Sequence, residues 1–236
     1  MIKRPAYTGA EEQQRVEHVL QVIDHAVDWD AYNALVKSFE HAHPRGFAKY
    51  VREPKPVFRQ LALHLVRAGL DQSSPLSVLD ISTGTGMQAM AIRALGHSIY
   101  ITDIFGPERR DDKNSNIALP IAFCDMFGLY APGHFQQLIY RRDKSGENYT
   151  FSPIPDFGVK FDLIMAVAVS PMSLWRDADW KDFIIDCVQC CPTGSLYLKP
   201  NLAGVAGLTK LVGQPNYPDG SFLLMAADLP SIYKRI

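Results

Sequence analysis

The chain has 236 residues, 47% of them hydrophobic and 21% charged, with a formal net charge of -1. That balance is that of an ordinary soluble globular chain, too neutral to favour nucleic acid or an anionic membrane surface. No apolar run approaches the roughly 20 residues that cross a bilayer, and the charged opening Met-Ile-Lys-Arg-Pro-Ala-Tyr has no apolar core after it, unlike a secretory leader.

Residues 11–26 carry Val16, Val19, Leu20, Ile23 and, just beyond, Val27 at helical spacing, and 30–39 form a second, shorter helix. A polar, turn-rich stretch follows at 41–50. Pro56 opens a third amphipathic helix with Phe58, Leu61, Leu65 and Val66 on one face and Gly69 near its end.

Next comes Val78-Leu79-Asp80-Ile81-Ser82-Thr83-Gly84-Thr85-Gly86. The run 77–79 is short, apolar and β-branched at Val78, which suits a buried parallel strand. Gly84 and Gly86 supply a tight turn where backbone can approach a ligand. Residues 87–95 are good helix formers stopped by Gly96, and 98–102 make a second strand that ends on Asp103. Strand, glycine turn, helix, strand and acid form one βαβ unit suited to a nucleoside.

Past Asp103 a solvated loop leads to 116–129. Residues 121–124 could be a strand, with Asp125 as an adenine-side acid. The helix is preferred, with Ile117, Ile121, Cys124 and Leu129 partly aligned, because 135–142 makes a credible third strand. Residues 148–152 then pair back as a hairpin. The run 161–169 is the clearest strand, its continuous apolar character that of a central strand covered on both faces. A helix over 179–191, a strand at 194–198 and a terminal pair at 222–227 and 231–235 complete the chain. Cys124, Cys187, Cys190 and Cys191 are read as buried, reduced packing residues, since Cys187-x-x-Cys190 falls in a helix-like run with no second pair at metal spacing. A cytoplasmic location follows as the default.

At Asp80, Gly84, Gly86 and Asp103 the chain resembles the class I S-adenosylmethionine-dependent methyltransferases, whose first motif reads acid-x-Gly-x-Gly-x-Gly and whose second strand ends on an acid. Ser82 departs from that pattern where the family has its first glycine. The resemblance implies an α/β fold: a Rossmann-like, doubly wound, mostly parallel seven-stranded sheet with an N-terminal helical extension. It divides the chain into a helical extension or lid at 1–72 and an S-adenosylmethionine-binding domain at 73–236. It further implies that Asp80 faces the cofactor's aminopropyl end, that Gly84 and Gly86 let the main chain pass close, and that Asp103 accepts from both ribose hydroxyls. Ser82, Thr83, Ile104 and Ala168 complete the implied cofactor set.

Residues 76–201 resemble more narrowly a group of bacterial methyltransferases of undefined small-molecule acceptors, through Trp175 and Trp180, a Pro192-Thr193-Gly194 turn and a strand ending near Asn201. This places Ser170 and Trp175 beside the acceptor, although both tryptophans also read as packing residues at a helix start. Ser170-Pro171 is followed by Met172-Ser173, which lacks the second proline and aromatic of enzymes that methylate nucleobases. His43 and Tyr50 are candidates for a base and an orienting group, with His41 and His134 behind them. No metal is indicated. The partner expected is a small molecule acceptor, without nucleic acid or membrane, and an abbreviated terminal hairpin leaves room for a homodimer.

Two other readings stay open. Gly84-x-Gly86-x-x-Ala89 also satisfies a loose dinucleotide fingerprint, though a carboxylate at Asp80 would repel a pyrophosphate. A catalytically silent member of the fold, serving as a binding or scaffold protein, is the other, and Ser82 leans toward it.

Overall fold

A computed structural model describes residues 7–42, 49–68, 71, 74–111, 115–138, 140–142, 149–151, 154–167, 186, 189–190, 195–199, 222–224 and 232–235. The chain divides into two compact units. One comprises Met1–Pro75, Gly84–Ile99 and Phe105–Pro132, the other Leu76–Thr83, Tyr100–Ile104 and Gly133–Ile236.

The first unit is helical. Helix α1, Gly9–Ala26, starts two residues before the apolar periodicity does, because Thr8 and Glu11 close a reciprocal cap. The Thr8 N–H donates to Glu11 Oε2 at 2.8 Å, and the Glu11 N–H donates to Thr8 Oγ1 at 3.3 Å. Val16, Val19 and Ile23 are the residues it buries. Helix α2 spans Trp29–Ala42, α3 Lys49–Arg52 and α4 Pro54–Ala68. Thus α4 opens at Pro54 rather than Pro56, since proline is pre-set for a helix's first turn, where its missing N–H has no partner to lose. The stretch expected to be turn-rich at 41–50 is helical at both described ends.

Helix α5, Met87–Ala94, buries Met87, Ala89, Met90, Ala91 and Ile92. Helix α6, Ser115–Met126, decides the segment that the sequence left between helix and strand, and it accommodates Pro120 internally. Within this unit α1 packs on α4 and α5, and α2 packs on α6. Tyr32 of α2 is the hub, 1% exposed. Its ring meets Trp29 at 5.4 Å and Phe123 at 5.1 Å, both edge-on, and its hydroxyl donates to the Val51 carbonyl at 2.7 Å. Edge-to-face rings gain energy beyond area burial, and the buried hydroxyl is satisfied.

The second unit is a sheet. Strands β1 (Ser77–Ile81), β2 (Ser98–Asp103), β3 (Phe135–Gln137), β6 (Leu163–Val167), β7 (Ser195–Lys199), β8 (Phe222–Leu224) and β9 (Ile232–Arg235) pair in the order β3-β2-β1-β6-β7-β9-β8. The pairs β2–β3, β1–β6 and β6–β7 are parallel, while β9 runs antiparallel to both β7 and β8. Strand β1 is therefore central, and successive strands leave it first to one side and then to the other, the topological switch at which open α/β sheets bind ligands. Val78, Leu79, Leu163 and Ile164 are at most 1% exposed, the burial that their unbroken apolar run required.

A single third strand over 135–142 is not what forms. Strand β3 stops at Gln137, and Tyr140–Arg142 (β4) instead pairs antiparallel with Tyr149–Phe151 (β5) in a separate two-stranded sheet. Leu138, 3% exposed, still bonds to β2, its N–H donating to the Asp103 carbonyl at 2.8 Å. The hairpin expected at 148–152 is this β4–β5 pair. The helix expected at 179–191 falls almost wholly outside the described residues. No helix among those described is long and apolar enough to cross a membrane.

Replacing Tyr32 with Phe is expected to cost about 1 kcal/mol, the net worth of one buried hydrogen bond. Tyr32→Ala, which also empties the space among Trp29, Phe123 and Val51, should cost about 3–5 kcal/mol. Urea denaturation of the two variants checks both values.

Candidate functional site

In the sheet unit, the carboxyl ends of β1 and β2 bring together Asp80, Ser82, Thr83, Thr102 and Asp103. Asp80 is 3% exposed, Thr83 5% and Asp103 8%. The loop leaving β1 is stitched to β2 by the Thr83 N–H, which donates to the Thr102 carbonyl at 3.0 Å. The Thr83 hydroxyl donates to Asp80 Oδ2 at 2.6 Å, a short bond of the charge-assisted kind. Ile104 follows Asp103, and its carbonyl accepts from Gln137 Nε2 at 2.9 Å.

Burial pushes the Asp80 carboxyl up to about 7, the Thr83 hydrogen bond opposes that, and the negative charge of Asp103 adds to it. Two buried acids thus lie at the ends of neighbouring strands, and the charge of Asp103 disfavours ionisation of Asp80. Thr102 joins them unforeseen by the sequence reading. It is fully buried, and its hydroxyl has no hydrogen-bond partner among the described residues.

Ser82, the departure from the family pattern, has φ of +56°. The left-handed region disfavours a side chain by roughly 1–2 kcal/mol, so the backbone still has here the shape for which glycine is the usual residue. Ser82 occupies that shape without changing it.

In the helical unit, Gly84 and Gly86 have φ of +56° and +69°. Gly86 is the N-cap of α5, and a Cβ there would run into Leu129 and come within 3.1 Å of Cys124 Sγ. Gly84, by contrast, has open space where its Cβ would be, and its carbonyl accepts from the Cys124 thiol at 3.3 Å. Cys124 and Leu129 thus add a packing constraint to the positive φ that already favours glycine at 86. The sequence showed them only as apolar positions on a helix and its exit, with no sign of the turn they would face.

Asp125 was set aside as an adenine ligand once 116–129 was read as a helix. It lies on α6, and both its oxygens are held by Arg110, at 2.6 and 2.5 Å. His134 is not brought to the acids. Its ring stacks on Tyr100 at 4.4 Å, within a cluster that also holds Phe157 and Phe161. Tyr100 precedes Asp103 by three residues, roughly 10 Å along a strand. Cys190 is a free thiol that burial pushes up to about 11, so it is no nucleophile near neutrality. Tyr50 lies in α3, but its side chain, like that of His41, is outside the described residues, as are His43, Ala168, Ser170, Trp175, Trp180, Cys187 and Cys191 entirely. Among the described residues no group of three or more His, Cys, Asp or Glu is placed to hold a metal ion. A cavity of about 520 Å³ in the helical unit, lined by Leu20, Ile23, Trp29 and Phe58 among others, includes none of the predicted site residues.

No family model matches the chain, and no curated protein does. Several solved structures resemble it in part. The ribosomal protein L11 methylase from Lactobacillus delbrueckii subsp. bulgaricus is 19% identical, over 64% of this chain and 64% of that one, at a TM-score of 0.39. The glycopeptide N-methyltransferase MtfA complexed with sinefungin is 16% identical, over 56% and 49%, at 0.35. The PH0226 protein of Pyrococcus horikoshii OT3 is 12% identical, over 71% and 63%, at 0.41. The chain thus spans between about half and two-thirds of the length of these proteins. Likenesses of this extent are partial, and what the chain does has to be read from its own residues.

Ser82→Gly should leave stability within about 1 kcal/mol of the parent or raise it, whereas Ser82→Val, β-branched at positive φ, should cost about 1–3 kcal/mol. Chemical denaturation of the two variants side by side measures this. Asp80 gives a pH signature of defined sign. Its carboxyl titrates higher in the folded chain than in the unfolded one, so the stability it confers is full below about pH 4 and is lost as pH rises through about 7. Asp80→Asn removes that titration. Between pH 5 and 8 the parent should therefore lose about 2–3 kcal/mol relative to Asp80→Asn, read from denaturation curves at the two pH values.

Proposed function

We propose that the chain is an S-adenosylmethionine-dependent methyltransferase of class I, acting on an oxygen or nitrogen of a small-molecule acceptor without a metal ion. The observation that carries this reading is the pair of buried acids, Asp80 and Asp103, at the carboxyl ends of neighbouring strands beside the switch point. A nucleoside with a cationic tail suits such an edge, and a pyrophosphate does not. The strand order supports the same choice. Dinucleotide-binding sheets run 3-2-1-4-5-6, whereas here β9 returns antiparallel between β7 and β8. The reading includes a doubly wound, Rossmann-like arrangement of the seven strands, with the N-terminal helices as an extension.

S-adenosylmethionine, when bound, supplies a methyl group already activated on a sulfonium. What remains for the protein is to hold the acceptor in line and to exclude water. Asp80 receives the ammonium group of the cofactor's amino-acid end, and Asp103 accepts from the ribose hydroxyls. Gly84 and Gly86 bring main chain rather than side chains to the cofactor, and Ile104 and Ala168 belong to its adenosine surroundings. Ser170 and Trp175 are proposed on the acceptor side, with His43 and Tyr50 as base and orienting group for a hydroxyl acceptor; a neutral amine needs neither. The reading implies a cytoplasmic enzyme, neither nucleic acid nor membrane as partner, and a homodimer formed at the terminal hairpin.

The second reading, a silent member of the fold, has Ser82 in its favour as a departure from the family motif. The +56° φ of that residue weakens the objection, because the turn keeps the conformation a glycine would take. Calorimetry with S-adenosylhomocysteine, S-adenosylmethionine and NAD, followed by an acceptor screen with labelled methyl donor, separates the readings. S-adenosylhomocysteine should bind and NAD should not. Asp103→Ala should weaken S-adenosylhomocysteine by about 1.5–3 kcal/mol, the range for hydrogen bonds to a charged group. Equal affinity of variant and parent would remove Asp103 from the site, and binding without turnover of any acceptor favours the silent reading.

A further inference from the structure

We propose that Thr83 is a positioning residue that acts through Asp80, its hydroxyl holding the Asp80 carboxylate ready to receive the ammonium group of a ligand. The inference rests on the cofactor reading above and adds to it the residue that prepares the site.

The geometry is a clamp. One residue, itself 5% exposed, uses its N–H on the Thr102 carbonyl at 3.0 Å and its hydroxyl on Asp80 Oδ2 at 2.6 Å. The first bond fixes the Thr83 backbone against β2, and β-branching restricts its χ1. The second then fixes the carboxylate plane. A hydroxyl has one proton to give, and here Asp80 takes it. Thr83 therefore serves the ligand through Asp80 rather than by donating to it.

The same bond works against burial. Strand β1 contributes no other charged group beside Asp80, and its register partner on β6 is the uncharged Met165. On β2 it is Asp103 whose charge acts on Asp80, in the unfavourable direction. The Thr83 hydroxyl is thus what favours the anion, and without a ligand the carboxyl is about half protonated near pH 7. When an ammonium-bearing ligand enters, the Asp80 O–H bond breaks, its electron pair stays on the carboxylate and the proton leaves to solvent. The ligand's ammonium is unchanged.

The test is calorimetry of S-adenosylhomocysteine between pH 5.5 and 8, where its amino group stays protonated, in two buffers of different ionisation heat. For the parent, affinity should fall about tenfold per pH unit below 7, with proton release that disappears by pH 8. In Thr83→Val the midpoint should move up by roughly one unit, so that affinity at pH 7 falls about three- to tenfold, and Thr83→Ser should restore it. 5′-Methylthioadenosine, which lacks the amino-acid moiety, should bind all three proteins without pH dependence. A Thr83→Val profile that matches the parent's, or an equal loss of 5′-methylthioadenosine, overturns the inference and leaves the cofactor reading standing. Failure of the parent to bind either ligand at any pH overturns both. If Thr83→Val does not fold, Thr83→Ala takes its place, and a pH profile equal to the parent's overturns the inference.

Discussion

Asp80 is a buried carboxyl group, 3% exposed, near the end of a strand that is otherwise apolar and buried beyond Ser77. Its neighbours Leu79 and Ile81 are at most 1% exposed, and strands lie on both sides of β1. A carboxylate so placed is tolerated only with hydrogen-bond donors or a counter-charge. Thr83 provides the donor. Its second attachment, to Thr102, ties the loop after β1 to the end of β2, so the path of the chain beyond the strand is constrained by the same residue that satisfies the acid.

The unusual backbone between Asp80 and α5 is a consequence of that short path. Three residues, Ser82, Gly84 and Gly86, take positive φ within five positions. Strain of this kind persists where surrounding structure over-determines it and is commonest where main chain must come close to a ligand. Gly86 is closed by Leu129 and Cys124, whereas the missing Cβ of Gly84 faces open space, so the two glycines answer to different constraints. Both are needed for their conformation, and Gly86 for packing as well.

The N-terminal helices show a similar economy. Rather than forming a core apart from the rest, α1, α2 and α4 share one unit with α5 and α6. The apolar stripes that mark them as helices are matched by the residues of α5, which is buried along most of its length. Tyr32 concentrates the arrangement, because its ring joins α2 to α6 and its hydroxyl reaches the backbone of α3. Removing the helices would therefore expose α5 and α6, which follow the glycine turn and Asp103 in sequence.

Much of this was written in local pattern. The strand-turn-helix-strand-acid order around Asp80, Gly84, Gly86 and Asp103 rests on short-range rules: apolar runs, glycine where φ turns positive, helix formers up to a glycine stop. Such rules need no knowledge of distant neighbours. The helix over 115–126 was legible for the same reason, although its Pro120 and mixed apolar pattern kept a strand in play until the packing around Phe123 was known. What no local pattern contains is pairing. That the Leu138 N–H bonds to Asp103, that Thr83 gives its two donors to Asp80 and Thr102, that Gly86 lies against Leu129 and that His134 stacks on Tyr100 away from the acids are all contacts between residues 34 or more apart, or choices among several possible partners. The sequence by itself determined which elements form and which residue types end them, since both follow from backbone geometry and burial. Only the tertiary structure decided which of those ends meet, because a hydrogen bond or a filled cavity depends on the neighbour that arrives and not on the residue that awaits it.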